Sequence, residues 1–177
     1  GAFPRSESGR TFPVHGPDGT LLANAARASR KDLRDAVRTA RAAQEGWAAR
    51  TAYNRGQVLY RVAEMLEGRR AELATLLSDT GLGTEAAEEE VEASIDRWVW
   101  YAGWSDKVHH VLGTVNPVAG PYFNFTVPEP TGVVGLVASG RPALLGLVSR
   151  LVPAIVGGNA VVVVTGGDAS LVAVTLG

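Results

Sequence analysis

The apolar positions of the chain change their period near Val111. Before that point they recur at helical spacing. Leu33, Ala36, Val37, Ala40, Ala43 and Trp47 form one stripe, and Ser29-Arg-Lys-Asp32 ahead of it reads as a capping box. Val58, Leu59, Val62 and Leu66 form a second stripe, which Gly68 interrupts and Leu73, Leu76 and Leu77 resume until Gly81-Leu-Gly83 stops it. A third, long helix is expected from Thr84 as cap, with Val91, Ile95, Trp98, Val99 and Ala102 as its apolar face and Glu85, Glu88, Glu89 and Glu90 as a solvated acidic start.

Beyond Val111 the pattern turns to strands. Tyr122, Phe123, Phe125 and Val127 sit in a β-rich segment between Gly120-Pro121 and Pro128-Glu-Pro130. Gly132–Ala138 and Asn159–Thr165 read as short strands, apolar throughout, on either side of a helix-length run from Ala143 to Val156. Strand, helix, strand with both strands apolar predicts a parallel βαβ unit buried on both faces. Ser170–Gly177 reads as the start of a further helix. The predicted class is α/β, in four parts: a lead-in over 1–28 with turn chemistry at Gly16-Pro-Asp-Gly19, a helical part over 29–110, a β-ribbon over 111–130 and the start of a parallel sheet over 131–177.

Composition narrows the chemistry. The 177 residues are 46% hydrophobic and 20% charged, as in a globular protein. Of the charged residues, only Glu129, Arg141, Arg150 and Asp168 lie after Val111, so the helical part faces solvent and the rest is core. A net charge of −1, with acids interleaved among the arginines, gives no reason to expect a nucleic-acid partner. Apolar runs fall well short of the roughly 20 residues that cross a bilayer, so no membrane partner is expected. The chain opens without a basic-then-apolar leader, which makes a cytoplasmic location the expectation. It also opens without Met, which suggests a piece of a longer protein.

No catalytic constellation emerges. The absence of cysteine removes a disulfide scaffold, a thiolate metal site and a thiol nucleophile. His15, His109 and His110 lack partners at ligand spacing, so no metal is expected. Trp98, Trp100 and Trp104 fit a helix packing a core better than a ligand cage. Gly166-Gly167 is more informative, because a glycine turn after a parallel strand is where doubly wound sheets hold nucleotides, although Gly-x-Gly-x-x-Gly is absent.

Several strings, in this order, resemble the amino-terminal third of the aldehyde dehydrogenase superfamily. They are Ser8-Gly-Arg-Thr-Phe-Pro-Val14, Ala42-Ala-Gln-Glu-Gly-Trp47, Tyr101-Ala-Gly-Trp104, Glu129-Pro-Thr-Gly-Val-Val-Gly-Leu136 and Pro153-Ala-Ile-Val-Gly-Gly-Asn159-Ala-Val-Val. The resemblance implies a Rossmann-type sheet, an oligomerisation ribbon and a homo-oligomer. It also implies NAD(P)-dependent oxidation of an aldehyde to an acid by a Cys nucleophile and a Glu base, both of which belong beyond Gly177. The family's Pro-Trp-Asn-Phe-Pro string corresponds to Ser139-Gly140-Arg141-Pro142-Ala143, so Arg141 takes the place of the oxyanion Asn. The Lys and Glu that hold the adenosine ribose correspond to Val164 and Gly167. By resemblance the cofactor, NAD or NADP, would lie against Ala138, Ser139, Gly140, Val164, Gly166 and Gly167, with binding in doubt.

Three readings follow. The first is a non-catalytic module, like the degenerate second module of tandem aldehyde dehydrogenases, with a structural role toward the remainder of its parent or another module. The second is a piece of an active enzyme with a divergent cofactor pocket. The third is an anion- or nucleotide-binding module using Arg141 and the Gly166-Gly167 turn, set against the simpler alternative that Arg141 points to solvent. A sheet cut after two strands would leave Val161–Val164 uncovered, so the piece is expected to aggregate or to be assembled with something.

Overall fold

The computed structural model describes residues 6–167 and 169–177. The first five residues of the lead-in, and Asp168, lie outside the described residues. The lead-in is a hairpin, in which β1 (Thr11–His15) pairs antiparallel with β2 (Leu21–Ala26). Its turn closes because Gly19 takes a φ of 83° and the Asp18 carboxylate accepts from both the backbone and the hydroxyl of Thr20.

The capping box holds α1 (Arg30–Ala48): Ser29 Oγ accepts from the backbone of Lys31 and Asp32, and Asp32 accepts in return from the Ser29 backbone. Thr51 caps α2 (Ala52–Gly68), and the chain breaks at Arg69 before α3 (Arg70–Asp79), as Gly68 predicted. Gly81, at φ 97°, reverses the chain so that the Leu82 N–H reaches the Leu77 carbonyl. In α4 (Thr84–Ala102) the N-cap is Gly83, and Thr84 is the first helical residue, which corrects the expected cap. A short α5 (Val108–Leu112) precedes a small ribbon of β3 (Thr114–Asn116) against β4 (Asn124–Thr126). Only Phe125 of the four expected ribbon residues lies in a strand. Tyr122, Phe123 and Val127 flank it, all exposed.

Then β5 (Val133–Ser139), α6 (Ala143–Val156) and β6 (Ala160–Gly166) form the predicted parallel unit, followed by α7 (Ala169–Leu176). Val133 pairs with Ala160 at one end and Ser139 with Gly166 at the other. Helices α1, α6 and α7 pack on this pair. The core gathers Leu59, Leu73, Leu77, Val91, Leu144 and Val152 from α2, α3, α4 and α6.

Several expected core positions are not buried. Val58, Val99 and Leu33 are exposed, and of the α1 stripe only Ala40 is fully covered. Trp98 packs inside, whereas Trp100 is 62% exposed and tilts against Trp104 at 6.3 Å. The parallel strands are not buried on both faces either: Val137 is 71% exposed and Val164 49%. Two strands alone leave part of each surface open where further strands or helices would lie.

Candidate functional site

The residues singled out by sequence converge on the carboxyl ends of β5 and β6. Parallel register sets Val137 beside Val164, Ala138 beside Thr165 and Ser139 beside Gly166. Gly140 and Gly167 then turn the chain, with φ of 82° and 58°. A Cβ at Gly140, Gly166 or Gly167 would meet no atom within 4 Å, so the edge is open there. Behind the second turn, the Ser170 N–H donates to the Gly167 carbonyl, while the Ser170 hydroxyl is buried with no hydrogen-bond partner among the described residues.

Arg141 is exposed, yet it does not simply point to solvent. Its guanidinium turns back to the α3–α4 connection and donates to the Thr80 carbonyl at 2.5 Å. Thr80 is itself anchored, its hydroxyl donating to the Leu77 carbonyl at 2.9 Å. The side chain is therefore engaged rather than simply solvated. The space bounded by Leu77, Thr80, Leu82, Glu90, Arg141 and Ala143 is about 10 Å³, room for one water at most.

Glu90 is not the solvated residue that the acidic start of α4 suggests. Its Oε1 accepts from the backbone of Leu144 at 2.7 Å and of Leu145 at 3.1 Å, at the start of α6. That helix end follows β5 directly, and its positive dipole is answered by a carboxylate of the same chain. The signal lies in the spacing. Glu90 falls three residues after Ala87 and four before Ser94, both fully buried, so it borders the core face of α4, while Glu85, Glu88 and Glu89 face away.

The other end of α6 is held as firmly. Trp47 Nε1 donates to the Ile155 carbonyl at 2.8 Å, and buried Arg55 donates to the carbonyls of Val156, Ala48 and Arg50. Burial pushes the Arg55 pKa down from the ordinary arginine value. Asn159 accepts from the Gly132 N–H and donates to the Ala154 carbonyl, tying the start of β6 to the entry of β5. The three histidines belong to no cluster, and no metal-holding group occurs among the described residues. A cleft of about 410 Å³ between α2 and the end of α4, lined by Tyr53, Gln57, Tyr60, Arg61, Ser105 and Lys107 among others, contains none of the candidate cofactor or oxyanion positions.

A hairpin, a helical layer, a two-stranded ribbon and a βαβ unit with open glycine turns at its strand ends make up the arrangement to be compared. The aldehyde dehydrogenase family profile matches residues 3–177. The chain belongs to the aldehyde dehydrogenase family. It is similar to human retinal dehydrogenase 2, at 36% identity over 99% of this chain and 34% of that protein. The mitochondrial benzaldehyde dehydrogenase of Antirrhinum majus is 35% identical over 93% of this chain and 31% of its own length. Among solved structures, a putative aldehyde dehydrogenase from Burkholderia cenocepacia superposes with a TM-score of 0.94 at 31% identity, covering 99% of this chain and 37% of that one. PnpE in complex with nicotinamide adenine dinucleotide superposes at 0.92 with 28% identity, over the same shares. The chain thus spans about a third of the length of the relatives it matches.

By the family resemblance, these strand ends are where a nicotinamide dinucleotide would lie. Space and a glycine turn are present. Val164, half-exposed at the edge, offers no donor to a ribose hydroxyl, and Gly167 offers no side-chain acceptor. Among the described residues, no helix is long and apolar enough to cross a membrane.

Proposed function

We propose that this chain is a non-catalytic aldehyde dehydrogenase-family module with a structural and assembly role. One observation carries the reading. Val164, Gly167 and Arg141 stand where the family's ribose-holding and oxyanion-holding side chains belong, and the Arg141 guanidinium is turned to the Thr80 carbonyl. Each hydrogen bond missing from a site built to hold its ligand costs roughly 1–3 kcal/mol, and a missing oxyanion donor roughly a hundredfold or more in rate. The residues that remain are those that build the fold, Trp47, Glu90 and Asn159 among them.

The work left for such a module is association. Tyr122, Phe123 and Phe125 are 76%, 75% and 59% exposed on the ribbon, with Val115 at 69% beside them. Apolar side chains concentrated in this way suit a protein contact. The contact is proposed as one between copies of the module or with the remainder of its parent, and a cytoplasmic location belongs to the same proposal.

Thermal unfolding with and without nucleotide tests the cofactor half. A ligand at a hundred times its Kd adds about 2.7 kcal/mol of stability, so a saturable rise in Tm with millimolar NAD or NADP overturns the reading. No rise supports it. Light scattering tests the assembly half: a species larger than a monomer, reduced by Phe123→Ser with Phe125→Ser, is expected, and a monodisperse monomer contradicts it.

A further inference from the structure

Two exposed helix faces carry charges of opposite sign that are only partly paired among the described residues. On α1, Arg30, Arg34, Arg38 and Arg41 recur at intervals of four, four and three residues, all exposed, so they stand in one stripe. Asp35 reaches Arg34 at 3.5 Å and Arg38 at 3.6 Å. Among the described residues no ion pair involves Arg30 or Arg41. On α4, Glu85, Glu88, Glu92 and Asp96 form a stripe of the same kind, also exposed, with Glu89 beside it. Of these, among the described residues, only Glu92 makes an ion pair, with Arg70 at 3.7 Å. Like charges one turn apart disfavour each helix on its own.

The two stripes match in register. Read forward from Arg30, the intervals on α1 are four, four and three; read backward from Asp96, those on α4 are the same. Laid antiparallel, the helices oppose Arg30 to Asp96, Arg34 to Glu92, Arg38 to Glu88 and Arg41 to Glu85, over roughly 16 Å of helix. One turn past Asp96, exposed Trp100 extends the α4 stripe.

We propose that α1 of one copy docks antiparallel on α4 of a second copy through these charges. Each copy carries both stripes, so a second copy supplies the opposite charge that either stripe calls for. Charge complementarity within one sequence is what selects a second copy as the occupant. This contact is distinct from the apolar ribbon around Phe125, and salt separates the two. Screening weakens a charged interface, whereas apolar burial is not weakened by it.

Sedimentation velocity on the 177-residue chain provides the test. Self-association is expected to fall at least tenfold or so between about 20 mM and about 500 mM sodium chloride. Arg34→Glu with Arg38→Glu, and separately Glu88→Arg with Glu92→Arg, should each lose that salt-sensitive association. Mixing the two variants should restore it, because each reversed stripe then meets an opposite one. Arg34→Gln with Arg38→Gln, which adds no repulsion, should lose part of it, and circular dichroism confirms that each variant is folded. The proposal is overturned if association is unchanged or strengthened by salt, if either folded reversal associates as the parent does, or if their mixture behaves as the sum of its parts. Failure of the ribbon variants alone leaves this interface standing.

Discussion

Glu90 Oε1 lies 2.7 Å from the backbone nitrogen of Leu144 and 3.1 Å from that of Leu145, so a carboxylate from α4 closes the N-terminus of α6. The bond joins the helical layer to the parallel unit at the point where β5 ends. Glu90→Ala removes the acceptor from two backbone donors and should cost about 1–3 kcal/mol. Glu88→Ala, two residues away on the exposed face, should stay within about 0.5 kcal/mol of the parent. Urea unfolding of the two variants side by side measures the difference.

The opposite end of α6 gives a second prediction. Trp47 Nε1 satisfies the Ile155 carbonyl, and Asn159 bridges Gly132 and Ala154. Trp47→Phe keeps most of the packing and loses one hydrogen bond, about 1 kcal/mol. Asn159→Ala leaves the part-buried Gly132 N–H without its acceptor and should cost about 1–3 kcal/mol. Equal stability of Asn159→Ala and parent in the same unfolding experiment would show that the bridge is dispensable.

Asp32 makes stability depend on pH. The Glu7 N–H, the Ser29 N–H and the Ser6 hydroxyl all donate to its carboxylate and hold its pKa well below the ordinary carboxylate range. The folded value lies below the unfolded one of about 3.9, so the contribution is full above that pH and is lost as pH falls through the folded value. Asp32→Ala should therefore melt below the parent at pH 7, and the gap should narrow in strong acid. A gap that stays constant from pH 7 to about pH 2 would contradict the assignment.

Much of the architecture is legible in the residues. Ser29 and Asp32 announce the start of α1, Gly81 the end of α3, and the unbroken apolar runs around Val134 and Val162 the parallel pair. Periodicity reports which face of an element is apolar, not what covers it. Val137, Val164 and Trp100 read as buried because they are apolar, yet among the described residues they are exposed. Glu90 and Arg141 escape a sequence reading for the complementary reason. A charged side chain is expected to seek water, while each of these finds backbone groups in a segment more than 50 residues away, Glu90 the N–H groups of α6 and Arg141 the Thr80 carbonyl. Long-range pairing of that kind leaves no local trace beyond Glu90's position at the border of the buried stripe.

The strings that carry the family resemblance prove to be structural. Trp47 and Asn159 tie helix and strand ends together, and Gly132 supplies the N–H that donates to Asn159. By the resemblance, the positions that would carry chemistry are Arg141, Val164 and Gly167, and these are proposed as the ones that depart from the family pattern. On the proposed reading, the module keeps its fold while losing its cofactor because these two sets of residues do not overlap.

That separation is tested most directly by calorimetric titration of the chain with NAD and then NADP. A site without its ribose-holding Lys and Glu should give no saturable heat at micromolar protein and up to millimolar nucleotide. Tight binding of either nucleotide at one molecule per chain would contradict the account.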